Sequence, residues 1–450
     1  MKKKVLLVFC ILIAIIIFCT AGLLLFGIFS SNGEVIPDSD ADLIIINNQN
    51  VDIDAFFSGR NEVSQVATRY SILYKDANRR QMYVCSVPIR NVDDNNKYSL
   101  VNRDVVLEEE NTYTTSNVDY NVTYSVDNIR IGNPDKWFQL NMNGAQNLSY
   151  VASYTNIYKD DNAGMCYFFD DDYKILVSPA YNGITITCEI NNNQRVAIPV
   201  EFINMNPTNK PAGYIVIKDK RANGDMEGNN FVITRPIVSD EAGNVYFNNP
   251  ITLIENKTGS RLIYDIPKEI SGKVTLTFSL NYYCENMFFD CAAYENNNNV
   301  NYIFDSYVLF DSIASDSSTY NYMKFNIKSF TPKDAKLLDN VTLNLFAIHC
   351  TGEIDIEVYS VQHDWCSWLL TWKNKPKVNE KIGEFKVSAA GWYSIDLTQY
   401  VKLLINEEYY NLENNTIMFK IKDGCNGNVI FASTDNSVMP PFFEVNYRMK

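Results

Sequence analysis

The sequence predicts an all-β chain in which an N-terminal transmembrane helix precedes tandem antiparallel β-sandwich domains of jelly-roll type. Apolar residues recur at every second position through most of the chain, the period of a strand with one face buried. Clusters of Asn, Asp and Gly interrupt these runs, as in Arg221-Ala222-Asn223-Gly224-Asp225 and across residues 424–428. Long helical periodicity is nearly absent, and 29 Tyr with 25 Phe supply side chains that favour pleated surfaces.

The chain opens on Met1-Lys2-Lys3-Lys4, followed by an uncharged, mostly apolar run over residues 5–29. That run is long enough to cross roughly 30 Å of hydrocarbon. A cleavable signal has a shorter apolar core and a small-residue cleavage site, which Cys19-Thr20-Ala21 matches poorly. Residues 1–31 therefore predict an uncleaved anchor, with a removed signal as the alternative. The three lysines would stay in the cytoplasm and the rest of the chain outside. Residues 32–60 predict a spacer, with an edge strand at 43–46.

Residues 61–300 predict a β-rich region, one large sandwich or two smaller ones. Val118, Tyr120, Val122, Tyr124 and Val126 alternate with polar neighbours there, as do Ile184, Ile186, Cys188 and Ile190, and Val274, Leu276, Phe278 and Leu280. The asparagine run at 296–299 marks a seam before a last sandwich at 301–450, where Ile354, Ile356 and Val358 alternate again. One short helix is expected after Asp396, a capping residue with Gln399 at capping-box spacing. Leu397, Tyr400, Val401 and Leu404 would share its buried face.

A net charge of −14 argues against nucleic acid and against docking on anionic lipid or wall polymer. Cys85, Cys166, Cys188, Cys284, Cys291, Cys350, Cys366 and Cys425 follow the apolar run, and in an exported region they permit disulfides. Cys284 with Cys291, and Cys350 with Cys366, are candidate pairs; free buried thiols are the alternative. No metalloprotease, nucleophile-elbow, P-loop or dinucleotide motif is present, and two His leave few options for a Ser–His or Cys–His pair. No enzyme activity is expected, although paired carboxylates for glycoside hydrolysis leave no mark in sequence spacing.

The last part of the chain carries the most specific signal. Trp365, Thr371-Trp372-Lys373-Asn374-Lys375-Pro376, Gly391-Trp392-Tyr393-Ser394-Ile395-Asp396-Leu397-Thr398, Phe431-Ala432-Ser433 and Pro440-Pro441-Phe442-Phe443-Glu444-Val445 follow in order. Before them come Tyr322-Met323-Lys324-Phe325-Asn326-Ile327, Thr331-Pro332-Lys333-Asp334-Ala335-Lys336 and Val341-Thr342-Leu343-Asn344-Leu345. From near Phe304 to Tyr447 the chain resembles a DNRLRE domain, a β-sandwich of microbial surface and secreted proteins related to carbohydrate-binding modules. The resemblance implies that Trp372 and Trp392 seal the two sheets and that Pro440 and Pro441 set up the closing strand. Upstream, Arg69, Tyr74-Lys75-Asp76, Pro88-Ile89, Pro236 and Asp240-Glu241-Ala242-Gly243 resemble the β-rich region that precedes such domains in wall-associated and Rhs-type proteins.

Trp365, Trp368, Trp372 and Trp392 are the candidate ligand-binding residues, because exposed rings are what sugar rings stack on. Core landmarks of the sandwich are the favoured reading for Trp365, Trp372 and Trp392, whereas Trp368 lies outside the family pattern and is the stronger candidate for an exposed ring. His349, Cys350, His363 and Cys366 could converge on zinc, although their spacing fits no standard finger. Asp160-Asp161 and Asp170-Asp171-Asp172 could hold a structural calcium or form solvated turns; no other cofactor is expected. The expected function is that of a non-catalytic, membrane-anchored extracellular protein whose C-terminal module binds cell-surface or extracellular polysaccharide. The runner-up is a structural or adhesive surface protein with a protein or cell-envelope partner and no sugar site.

Overall fold

The computed structural model describes residues 45–48, 68–92, 98–101, 103–109, 112–116, 120–155, 157, 161–191, 195–219, 230–247, 250–257, 259–283, 288–311, 318–361, 365–406 and 415–450. The expected membrane run at 5–29 and the turn at 221–225 lie outside them. Among the described residues no helix is long and apolar enough to cross a membrane.

The described chain is built of antiparallel sheets. A five-stranded sheet orders Phe288–Tyr294, Thr319–Phe325, Asn415–Ile421, Ile354–Val361 and Val378–Val387. It faces an eight-stranded sheet whose path runs Ile45–Asn48, Gly391–Asp396, Leu338–Thr351, Phe442–Arg448, Arg79–Cys85 and Ser71–Asp76. Asn428–Ala432 joins this sheet between Leu338–Thr351 and Tyr307–Asp311. Strict alternation places the core between them: Ile354, Ile356 and Val358 point inward from one strand, while Asp355, Glu357 and Tyr359 point out. Facing rings interlock across the gap, with Phe325 against Phe443 at 5.0 Å and Phe385 against Phe431 at 6.1 Å.

The second sandwich is inserted into the first. Its eight-stranded sheet begins at Val106–Glu109 and includes Asn121–Ser125, Asn128–Asn133, Lys136–Asn141 and Arg195–Ile203, ending at Thr252–Asn256. The opposing ten-stranded sheet runs from Asn147–Thr155 through Gly183–Asn191 and Lys273–Tyr283 to Met205–Asn209. All of these strands lie in sequence between Cys85 and Phe288, whereas the strands flanking them, Arg79–Cys85 and Phe288–Tyr294, belong to the two sheets of the first sandwich. Gln81 makes that closure explicit, its amide donating to Glu444 Oε1 at 2.7 Å. Phe442–Arg448, the closing strand of the sequence reading, is therefore an interior strand, covered along its free edge by Arg79–Cys85.

Two sequence expectations change at the join. Gly183–Asn191 and Lys273–Tyr283 were expected to show one face to water, yet Thr185, Thr187, Thr277 and Ser279 on the second face are buried too. They are central strands covered on both faces, and of the four hydroxyls those of Thr187 and Thr277 pair with each other at 3.3 Å. A third apolar cluster then joins the sandwiches, with Ala180, Tyr181 and Ile237 of the inserted one beside Tyr83, Tyr307, Phe346, Trp392 and Phe442. The short helix forms at Thr398–Asn406 with Asp396 Oδ1 accepting from the Thr398 N–H at 2.8 Å, and it buries Val401 and Leu404.

The join also holds a buried polar lock. Arg235 of the inserted sandwich pairs with Asp305, which precedes Tyr307–Asp311, and both are almost wholly buried. The guanidinium lies 4.6 Å from the Tyr307 ring centroid and 5.2 Å from that of Tyr302. Beside it, Asn281 Nδ2 donates to the Asp435 carbonyl at 2.7 Å, and Ser437 Oγ donates to Asn281 Oδ1 at 2.6 Å. These groups exchange water for fixed partners across the join, so each sandwich specifies the position of the other.

A first prediction follows from this topology. A fragment of residues 288–450 lacks the strand that covers Phe442–Arg448 and the partners of the third cluster. It is expected to aggregate in size-exclusion chromatography, while co-expressed residues 68–92 restore a soluble species. A monodisperse, cooperatively melting fragment without that hairpin would show that the hairpin is dispensable.

Candidate functional site

The segment from Trp365 to Lys377 crosses the outer face of the five-stranded sheet. The Trp365 indole donates to Thr416 Oγ1 at 3.0 Å and its ring meets Tyr322 at 6.1 Å. Lys324 Nζ donates to the Trp365 carbonyl at 3.2 Å, and the Tyr322 hydroxyl donates to the Pro376 carbonyl at 3.0 Å. By alternation Tyr320, Tyr322 and Lys324 share the sheet face opposite the core. The segment thus covers half of that face and leaves the other half open.

The four tryptophans separate cleanly. Trp365 and Trp392 are buried, the latter between Phe346 at 5.3 Å and Phe442 at 5.4 Å, so neither has a ring face left for a sugar. Trp368 is half-buried, edge-on to Phe304 at 4.9 Å, and the ring-free Leu369 beside it is the more exposed residue. Trp372 is also half-buried and stands at the border between the covered and open halves. Its ring meets Tyr320 at 4.9 Å, and Lys375 Nζ lies 3.6 Å from its centroid. The short 3-10 turn Trp372–Asn374 fixes this geometry, with the Thr371 N–H donating to Asn374 Oδ1 at 2.7 Å.

From Trp372 the open half continues as a cross-strand row. Tyr320 lies opposite Lys420, Lys420 opposite Glu357, and Glu357 opposite Glu384. Strands about 4.8 Å apart make this row about 14 Å long. Tyr359 flanks it, with Lys420 Nζ 5.5 Å from its ring. Burial acts to raise the pKa of Glu357, but hydrogen bonds from Lys381, Tyr359 and Lys420 outweigh it and hold the carboxyl below its ordinary value. Lys381 Nζ bridges Glu357 at 3.0 Å and Glu384 at 2.6 Å. The result is a surface of ring edges and fixed charges, able to accept and donate hydrogen bonds to hydroxyl groups.

The depressed pKa of Glu357 gives a pH prediction. Its ionised form is favoured more in the folded chain than in the unfolded one, so its stabilisation is present above the ordinary carboxylate pKa. It is lost as pH falls through the lower folded value. Urea titrations of wild type and Glu357→Gln should differ at pH 7 by under about 1 kcal/mol and converge as pH falls below the folded value. A difference that grows on acidification would reverse the sign.

The remaining candidates do not assemble into a site. Cys350 and Cys366 carry free thiols, so the expected cross-link between them is not formed. Cys350 ends a strand of the eight-stranded sheet, with its thiol 3.6 Å from the Val387 carbonyl, while Cys366 follows Trp365 on the far side of the five-stranded sheet. Cys291 is free and buried; Cys284 lies outside the described residues. The four residues weighed for zinc are split the same way: His349 sits beside Cys350, Cys366 lies across the sheet, and His363 falls outside the described residues. Asp170 and Asp172 form an exposed turn in which Asp170 Oδ1 accepts from the Asp172 N–H at 2.8 Å; Asp160 is not among the described residues, and the Asp161 side chain is not described. Among the described residues no group of three His, Cys, Asp or Glu is placed to hold a metal ion.

Tyr320, Lys375, Lys420, Glu357 and Tyr359 carry no binding motif in the sequence. Their signal was present in the alternation of Thr319–Phe325 and Ile354–Val361, but a polar outer face looks the same whether it binds or is merely wet.

Residues 292–447 match the sequence profile of carbohydrate-binding module family 96. That span contains both sheets of the first sandwich apart from the hairpin 71–85, the edge strand 45–48 and the start of Phe288–Tyr294, and it includes every residue of the open row. No curated protein matches the chain. Among solved structures, a glycoside hydrolase family 43 arabinoxylan arabinofuranohydrolase from Bacillus subtilis in complex with cellotetraose aligns with 84% of this chain and 95% of its own, at 8% identity and a TM-score of 0.18. A likeness that low carries no argument.

Proposed function

We propose that this chain is a non-catalytic, membrane-anchored extracellular protein that binds polysaccharide through the outer face of the five-stranded sheet. The observation that carries the reading is the match of residues 292–447 to a carbohydrate-binding module family. The geometry supports it: a half-exposed Trp372 stands at one end of a partly exposed polar row. The exposed part of the Trp372 ring packs against the apolar C–H groups of a sugar, and Lys420, Glu357 and Lys381 meet its hydroxyls. The same surface suits an extended chain lying across the strands.

The anchor at residues 5–29 and display outside the cell belong to this proposal and rest on the apolar run behind three lysines. A glycan array probed with the full-length chain tests the binding reading. Retention on at least one polysaccharide is expected; uniformly blank spots would remove it. Protease accessibility of the sandwich on intact cells tests the placement, with full protection as the result that would reject it.

A further inference from the structure

The inserted sandwich repeats the arrangement of the first on a face that nothing so far assigns. Trp137, Gln139 and Asn141 alternate with the buried Phe138 and Leu140, so they share the outer face of the inserted eight-stranded sheet. Trp137, the fifth tryptophan of the chain, is half-buried, and the Arg130 guanidinium lies 4.2 Å from its ring centroid. This is the second half-exposed tryptophan with a cation held over its ring, after Trp372 with Lys375. Directly opposite Trp137 is Gly132, whose φ of +131° and lack of a side chain let the two strands approach closely beneath the indole. Any Cβ there would lie 2.3 Å from the Lys136 carbonyl oxygen and 2.8 Å from Trp137 Cα.

A polar row crosses the same face. Thr114 lies opposite Thr123, Thr123 opposite Arg130, Arg130 opposite Gln139, and Gln139 opposite Glu201. Five strands make this row about 19 Å long. Gln139 Nε2 donates to Asn141 Oδ1 at 2.7 Å and to Glu201 Oε2 at 3.3 Å. Arg130 and Glu201 are exposed, of opposite sign and one strand apart on either side of Gln139. The face therefore offers a ring, donors and acceptors with no net charge. That suits a neutral, hydroxyl-rich chain; a uronate or phosphate polymer would meet the carboxylate of Glu201 and a body of net charge −14.

We infer that the face built on Trp137, Arg130, Gln139 and Glu201 is a second binding site for a neutral polysaccharide, which makes the chain bivalent. The inference borrows its ligand class from the proposed function, but it stands on different residues of a different sandwich. The buried join holds the two faces in one body, so two moderate sites on one polymer act with an avidity beyond either alone.

Native affinity electrophoresis of the full-length chain, through gels that each contain hydroxyethyl cellulose, xylan, laminarin or galactan, separates the sites. In the gel that slows the wild type most, Trp137→Ala and Trp372→Ala should each weaken retardation at least threefold, and the double variant should run as in a blank gel. Gln139→Ala, which removes an outward amide and leaves every ring in place, should weaken it too without changing the melting temperature. Full retardation by Trp137→Ala and Gln139→Ala, with loss in Trp372→Ala, would overturn the second site and leave the first. Loss only in Trp137→Ala, accompanied by a lower melting temperature and normal retardation of Gln139→Ala, would also overturn it. Loss in the Trp137 and Gln139 variants, with Trp372→Ala unaffected, would keep the second site and remove the first. Wild type that no gel slows would remove both.

Discussion

Arg235→Ala is expected to destabilise the folded chain by about 3–5 kcal/mol, the range for breaking one side of a buried ion pair. The substitution strands Asp305 in a site where burial already raises its carboxyl pKa against the pull of Arg235. It also removes the cation from between Tyr302 and Tyr307. The loss falls on the join between the sandwiches, so the urea transition should move to lower denaturant and divide into two steps. A double replacement, Arg235→Met with Asp305→Leu, should recover much of the stability, because apolar side chains of similar volume need no partner in a dry site. A single-variant midpoint within about 1 kcal/mol of wild type would mean that the pair does not hold the sandwiches together.

Trp372→Ala is expected to weaken polysaccharide binding at the first site by roughly 30-fold, which corresponds to about 2 kcal/mol for an anchoring aromatic. Its ring contacts are with Tyr320 and the Lys375 ammonium, at the edge of the sheet face, so the fold should change little. Trp365→Ala makes the contrast. That indole is buried and bonded to Thr416, so its loss should lower the melting temperature and leave the buried Thr416 hydroxyl without its donor. Isothermal titration of both variants with the polysaccharide retained on the array distinguishes a lost contact from a lost fold. Equal affinity for Trp372→Ala and wild type would place the sugar elsewhere.

Much of the all-β architecture was legible because alternation is a local property. Ile354–Val361 and Asn121–Ser125 show it residue by residue, and Asp396 announced the helix Thr398–Asn406 through its capping role. The insertion was not legible. Arg79–Cys85 finds Phe442–Arg448 across nearly the whole chain, and no short-range pattern encodes which distant edge a hairpin will cover. Thr185 and Thr277 misled for a related reason: a central strand buried on both faces can carry small hydroxyls on one of them and still alternate. The members of the tryptophan cluster divide between core and surface. What divides them is the path of residues 365–377 over Tyr320 and Tyr322, a tertiary fact. Trp137 stood alone in its strand and drew no notice, because its partner Arg130 reaches it from the neighbouring strand.

Indole N–H resonances of the full-length chain, followed by NMR during titration with a retained oligosaccharide, report each of the five tryptophans separately. The resonance of Trp372 should shift in step with saturation, while those of the buried Trp365 and Trp392 stay in place. Saturable binding that leaves Trp372 unmoved would show that the outer face of the five-stranded sheet is not where the polysaccharide lies.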